Sequence, residues 1–317
     1  AKYYAERVIN NSGRTLLNNY GDLFKFPYDN NSESLFELQW VFTGPTSAPG
    51  VWGTQNSMPE YLAYSPDISF GGWGGDKGAT WWLIKQYEGI LEQANGTLKG
   101  RTLDQRLKAT FMLPGASYPE ITKVTGEKLI YPFTGTDQNF LAVKKYVIGS
   151  PVDLAGKASQ QAYPNNTYMM RLAEMYLVYA EAALGNNTST TDPIIFQYFN
   201  KVHTRAGLAS VIDPLTWDII FSERMKEFAM EGMAWYDLIS LHYYNPGKAY
   251  SILNSQDRGL FFTRPDQMPN PTEWTFTKTS WFNERTINAN AGNFLLPIPN
   301  VELSQAPNMR LDPVEYK

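Results

Sequence analysis

Cysteine is missing altogether from this 317-residue chain, which excludes disulfides and thiolate metal sites, although the length still allows a sizeable core. Histidine is nearly missing: His203 and His242 are the only two. A di-iron bundle needs Glu-x-x-His on facing helices, a setting neither histidine occupies. A serine hydrolase needs a nucleophile elbow and a histidine partner, and neither can be found. There is no basic run. The 27 Lys and Arg against 31 Asp and Glu give a net charge of −4, which speaks against nucleic acid or an anionic membrane surface as partner. No stretch approaches the roughly 20 apolar residues that cross a bilayer. Residues 71–80 (GGWGGDKGAT) hold Gly and Lys without the spacing of a phosphate loop, and no loop has EF-hand spacing. No cofactor and no metal are expected.

What is abundant is aromatic. Aromatic residues make up 15% of the chain, with 9 Trp and 20 Tyr, many outside the segments with helical spacing. Those segments concentrate between Tyr168 and Leu238. From Tyr168 to Leu184, the residues Met169, Leu172, Tyr176, Tyr179 and Ala183 recur every three or four positions, and Gly185 with Asn186 stops the run. A second helix is predicted from a cap at Asp192 and Pro193 in the first position, closing at Gly207. A third begins after a cap at Thr216 and continues through Phe228, Trp235 and Leu238. Ala1 to Ile9 also has helical spacing, with no cap before it. Two helices on a short turn followed by another suggest stacked antiparallel hairpins, as in a helical repeat.

Four pieces of sequence, RLAEMYLVYAEAALG (171–185), FNKVHTRAGL (199–208), SERMKEFAMEGMAWYDLI (222–239) and NFLLPIPNVELSQAPNM (293–309), resemble in this order the C-terminal half of SusD/RagB proteins. Residues 3–24 and 31–40 resemble that family's middle region. The chain departs from the family's pattern around Trp235, where Ala234 precedes it and Ser240-Leu241 follows in place of basic and Arg-Trp residues. The resemblance implies a mostly α fold: TPR-like helical hairpins, a large irregular loop-rich lobe and minor β-hairpin content. It implies one SusD-like domain over 1–317. The helical body would occupy about 1–30 and 165–242, the lobe about 31–164, and a C-terminal covering segment about 243–317.

The resemblance also implies a surface lipoprotein of the Bacteroidetes outer membrane. Such a protein binds a glycan or other oligomeric nutrient and hands it to a SusC-like TonB-dependent transporter. Members of the family normally carry a signal peptide, a lipidated Cys and further N-terminal helices. None can be read in these residues, so the expectation is a piece of a longer protein, its membrane attachment outside this chain.

The candidate recognition region is the stretch from Thr43 to Thr80, which is rich in Gly, Pro, Ser and aromatics and too long for a simple connection. A pyranose ring offers an apolar CH face and a rim of hydroxyls, so a site for it needs flat rings beside amides or carboxylates. Trp52, Asn56, Tyr64, Asp67, Trp73, Asp76, Trp81 and Trp82 meet that description. The plainer reading is that these rings cement loops to the helical body, and the glycines around Trp73 suit a structural turn. A second loop-rich region, Tyr243 to Gly292, reads as a cover over the last helices, with a strand or hairpin in TEWTFTKTSWF (272–282). The paired prolines of NFLLPIPNVEL predict an extended path.

Glu223, Glu227 and Glu231 recur every four residues and would share a helix face. They read as ion-pair partners of Arg224, Lys226, Arg171 or Arg205 rather than metal ligands. His203 is placed on a polar side near Arg205. Glycoside hydrolysis would need two carboxyls across a cleft; Glu60, Asp67 and Asp76 could supply a pair, but no spacing rule selects them. A helical-repeat protein-interaction module without sugar binding is the other alternative.

Overall fold

The computed structural model describes residues 1–44, 56–70, 77–132, 141–256, 259, 261–265, 273–279, 287–295 and 298–311. Among them the regular elements, in chain order, are α1 (Lys2–Asn11), β1 (Ser34–Leu38), α2 (Met58–Leu62), α3 (Trp81–Ile84), β2 (Ile90–Glu92), β3 (Leu98–Gly100) and α4 (Gln105–Thr110). β4 (Ser117–Thr122), β5 (Lys128–Ile130), β6 (Thr167–Arg171), α5 (Leu172–Leu184), α6 (Pro193–Arg205) and α7 (Trp217–Glu227) follow. The last are α8 (Ala234–Tyr244), α9 (Pro246–Asn254), β7 (Phe261–Pro265), β8 (Trp274–Lys278) and α10 (Asn300–Gln305). The fold is mostly α with small antiparallel sheets. It falls into two compact units, Ala1–Ala234 with Asp257–Arg285 and Trp235–Gln256 with Thr286–Lys317.

In the larger unit the helical body is organised on α5, which packs against α1, α6 and α7. Leu172, Leu177, Ala180 and Leu184 meet Phe199 and Val202 of α6 and Ile220 of α7, all buried. Burial of each large side chain contributes about 1.5–3 kcal/mol, enough to hold helices too short to be stable alone. The caps read from the sequence are in place. Asp192 Oδ1 accepts from Ile194 N at 2.8 Å, and Thr216 Oγ1 accepts from Ile219 N at 3.3 Å. Gly185 and Gly207, with φ of 55° and 90°, leave their helices through left-handed backbone that glycine adopts without strain.

Two helix boundaries differ from the periodicity. Residues 167–171 are not the first turn of a helix; they form β6, which pairs antiparallel with β1, Arg171 opposite Ser34 and Tyr168 opposite Glu37. The spacing misleads because Met169, assigned to the buried stripe, is 49% exposed on this strand. Leu172 N then donates to Glu33 O, fixing where α5 starts. The third helix is also not continuous. α7 ends at Glu227, the backbone turns left-handed at Met230 (φ 66°) and Gly232 (φ 80°), and α8 restarts at Ala234. That turn swings Glu231 back toward Arg171 and Lys145 instead of onward along a helix face.

The loop-rich part of the larger unit carries a four-stranded sheet of order β2-β3-β8-β7 and the β4–β5 hairpin. β8 lies where alternation suggested a strand, with Trp274 and Phe276 buried and their neighbours half-buried. Its pairing with β3, Gly100 opposite Trp274, joins distant parts of the chain. Gly89 and Gly100 permit the close approach of β2 and β3: a Cβ on Gly100 would stand 1.8 Å from Gly89 O. In the smaller unit, Trp235 stacks on Phe294 at 5.4 Å and His242 on the same ring at 4.2 Å. The segment expected to be extended is helical in its second half: past Pro299, which occupies the cap, no proline interrupts Asn300–Gln305.

Candidate functional site

The structure fixes the base of the aromatic-rich stretch in two places. The first is 56–70. Asn56 is 3% exposed, its Nδ2 donates to Asn165 O at 2.7 Å, and its Oδ1 accepts from Met58 N to turn the chain into α2. Glu60 Oε2 accepts from Gln161 N at 2.6 Å; burial raises the Glu60 carboxyl above its ordinary range, opposed by that hydrogen bond. Ser69 Oγ donates to Ile148 O and accepts from Ile148 N, and Val124 N donates to Asp67 O at 2.8 Å. The second place is 77–84, where Ala79 N donates to Leu141 O and Thr80 Oγ1 accepts from Leu83 N to cap α3.

On this base the expected ligand-binding residues separate. Asp67 is exposed, and Tyr64 is half-buried with its ring edge-on to Tyr131 at 5.0 Å. Burial raises the Tyr64 phenol above its ordinary value, with Tyr131 and Asp67 adding to the shift, so it stays a neutral donor at neutral pH. Trp81 is 0% exposed and packs edge-on to Phe261 at 5.6 Å, in a cluster with Ile84, Leu98 and Phe276. Its ring belongs to the core and offers no face to a ligand in this arrangement. Asn56 is likewise enclosed. Trp82, its neighbour on α3, is half-buried and lies edge-on to Phe221 at 6.4 Å. Trp52, Trp73 and Asp76 lie outside the described residues.

The structure adds two rings that local sequence did not single out. Phe221 stacks on Trp217 at 4.6 Å and 17°, and Trp217 Nε1 donates to Glu181 Oε1 at 3.1 Å. Trp82, Phe221 and Trp217 therefore form a row, with half-buried indoles at its ends. Trp217 and Phe221 are four apart on α7, so helical spacing could have paired them; their meeting with Trp82 is non-local.

The larger unit also holds a buried ionic network. Arg106 donates to Asp104 Oδ2 at 2.7 Å, Glu223 Oε1 at 2.7 Å and Glu227 Oε2 at 3.3 Å. Arg171 donates to Glu33, Glu227 and Glu231, and Arg205 to Glu33 and Glu227. Burial works against ionisation of Glu227, and Arg205, Arg171 and Arg106 outweigh it, holding the carboxyl at about 2. Burial likewise opposes ionisation of Glu223, and Arg106 leads the groups that keep it well below the usual carboxylate range. The ion-pair reading of the three glutamates thus holds, with Arg106 and Glu33 as members that no local pattern announced. His203 differs from its expected polar-face position: it is buried, Nδ1 lying 3.0 Å from Glu223 Oε2.

Glu88, His203 and Glu223 bring potential ligand atoms within 4.8 Å of one another, a spacing a metal ion could use. Lys226 is already there, its ammonium bonded to Glu88 and 3.6 Å from Glu223 Oε2. With Arg106 also on Glu223, the two carboxylates already meet two fixed cations. No helix among the described residues is long and apolar enough to cross a membrane.

Comparison with known proteins places these features. The sequence model of the SusD family matches residues 32–313. A SusD-like protein of Bacteroides ovatus is 34% identical over all of this chain and 56% of its own length. A crystal structure solved with a xylogluco-oligosaccharide is 32% identical, covers all of this chain and 61% of its own, and superposes with a TM-score of 0.79. A SusD-like protein from Bacteroides fragilis shares the fold at 20% identity and a TM-score of 0.64, over 96% of this chain and 60% of its own. The chain therefore spans less than two thirds of the relatives it matches.

Proposed function

Because this chain belongs to the SusD family, we propose that it captures a glycan at the outer face of the bacterial outer membrane and passes it, unaltered, to a SusC-like TonB-dependent transporter. One observation carries the reading. The structure solved with a xylogluco-oligosaccharide is similar across the whole of this chain, including the base that holds the aromatic stretch.

The physical arrangement supports it. Loops that bind a flexible oligosaccharide need a rigid footing, because ordering them on binding would consume affinity. The described parts of the stretch are anchored by buried contacts through Asn56, Ser69 and Ala79, and Trp81 follows in the core. Trp82, Tyr64 and Asp67 supply two rings and a carboxylate from this base. Trp52, Trp73 and Asp76 are proposed to complete the site from the adjoining segments. The proposed role involves no catalytic step; Glu60, one of the acids a glycosidase pair could draw on, is a buried residue whose carboxyl accepts a hydrogen bond from Gln161 N.

Calorimetry against a panel of neutral oligosaccharides, followed by chromatography of the recovered sugar, tests the proposal. Saturable binding with intact sugar is expected. Release of shorter products would make the protein a hydrolase, and no binding across the panel would favour an interaction module.

A further inference from the structure

A cleft of about 700 Å³ opens between α4, the β4–β5 hairpin and Trp274 of β8, away from the candidate residues of the aromatic stretch. Its volume lies within the roughly 300–1,000 Å³ of small-ligand sites. Leu103 and Ile130, both largely exposed, and Trp274 give it apolar surface; Thr102, Gln105 and Ser117 give it hydroxyls and an amide. Gln105, Lys108 and Ser117 also line an adjoining recess of about 290 Å³.

The charges are uneven. Among the described residues, Asp104 is the one acid lining the larger cleft, and its carboxylate is taken by the Arg106 guanidinium. In the recess, Glu120 pairs with Lys144 at 2.9 Å, and Lys25 pairs with Asp22 at 2.7 Å. Arg101 and Lys108 remain. Both are exposed, and among the described residues neither makes an ion pair. A chain of net charge −4 thus carries a hollow whose unpaired charge, among the described residues, is positive.

The hollow is built on fixed backbone. Arg101 follows Gly100, which is locked against Gly89 by an approach no Cβ would allow. α4 is tied to α7 through Arg106, and Gln105 N donates to Ala206 O at 2.9 Å beside Gly207. Two cations on this backbone, the Lys108 ammonium 5.5 Å from the centre of the Tyr118 ring, next to apolar surface and hydroxyl-reading groups, suit a ligand that combines carboxylates with sugar rings. Arg matches a carboxylate with its planar fork, Lys adds a point charge, and the apolar walls accept CH faces.

We propose that this cleft is a second carbohydrate site, selective for uronic-acid-bearing oligosaccharide. The choice of a sugar over another polyanion rests on the glycan-binding reading above; the site itself does not depend on the aromatic stretch.

The test is calorimetry on the full chain with oligogalacturonate, its methyl-esterified form, a neutral xylogluco-oligosaccharide and oligoglutamate, for the wild type and the surface double variant Arg101→Gln/Lys108→Gln. The expected result is binding of oligogalacturonate that weakens with added salt. Esterification and the double variant should each lower it by about tenfold or more, with neutral-sugar binding unchanged. Absence of oligogalacturonate binding, equal binding by the double variant, or oligoglutamate binding as tightly would overturn the assignment. Failure of the neutral sugar alone would count against the proposed function and leave this site standing.

Discussion

Arg106 Nη1 donates to Glu223 Oε1 across 2.7 Å, and neither side chain is more than 2% exposed. The same guanidinium holds Asp104, whose Oδ1 caps α4 by accepting from Arg106 N, so one buried cation ties α4 to α7. Removing one member leaves others charged and out of water, which typically costs about 3–5 kcal/mol. Arg106→Ala should therefore lower the chemical-denaturation stability by about that much. Arg106→Lys should restore only part of it, because an ammonium cannot serve Asp104 and Glu223 together. Full stability in Arg106→Lys would show that the fork geometry is unimportant.

The network also sets how stability responds to acid. The Glu227 carboxyl moves from an ordinary 4.5 to about 2 on folding, so between those values the unfolded chain binds more protons. The stability it contributes is complete above about 4.5 and is lost as pH falls toward 2. Asp29 runs the opposite way. Burial raises it from 3.8 to about 6, against a hydrogen bond from Asn166 N and with Glu37 nearby. Here the folded chain binds more protons, and stability declines as pH rises through 3.8 to 6. Denaturation curves across pH 2–7 should show Asp29→Asn removing that decline while leaving the acid limb in place.

Lys145 predicts a change at the alkaline end. Burial lowers its ammonium from 10.5 to about 8, with Glu231 opposing the shift. Between those values the unfolded chain binds the extra proton, so the cost of burying the charge fades and stability rises with pH. Lys145→Met, which leaves Glu231 paired with Arg171, should flatten the rise. An unchanged slope between pH 8 and 10.5 in that variant would assign it to another group.

Adjacent tryptophans should answer differently to truncation. Trp81→Ala empties a packed position and should cost about 3–5 kcal/mol of stability, measured by thermal or chemical melting. Trp82→Ala should leave the fold largely intact and weaken glycan binding by about 2 kcal/mol, as expected of a central aromatic anchor. Unaltered affinity in Trp82→Ala would remove it from the site.

The helix caps offer a local check. Asp192→Ala and Thr216→Ala should each lower stability by about 0.5–2 kcal/mol, and Asp192→Asn should retain most of what Asp192 contributes. A loss equal to that of alanine in the asparagine variant would mean that the cap acts through charge instead.

The sequence by itself determined the elements whose signals are local. The caps at Asp192 and Thr216, the stops at Gly185 and Gly207, and the alternation that became β8 each depend on a few neighbouring residues, and each was legible. The family resemblance likewise came from short ordered stretches. Tertiary structure decided what depended on distant partners. Thr167–Arg171 became a strand because β1 was there to pair with it, and α7 ended where Glu231 could turn back to Arg171 and Lys145. Trp81 and Trp82 are indistinguishable by composition, yet one fills a core and the other stays half-exposed, because the helix rotates consecutive side chains onto different faces. Arg106 sits beside Asp104 in sequence but meets Glu223 only when α4 and α7 pack. Burial and charge pairing are properties of the assembled chain, and a run of residues carries no record of them until the non-local contacts form.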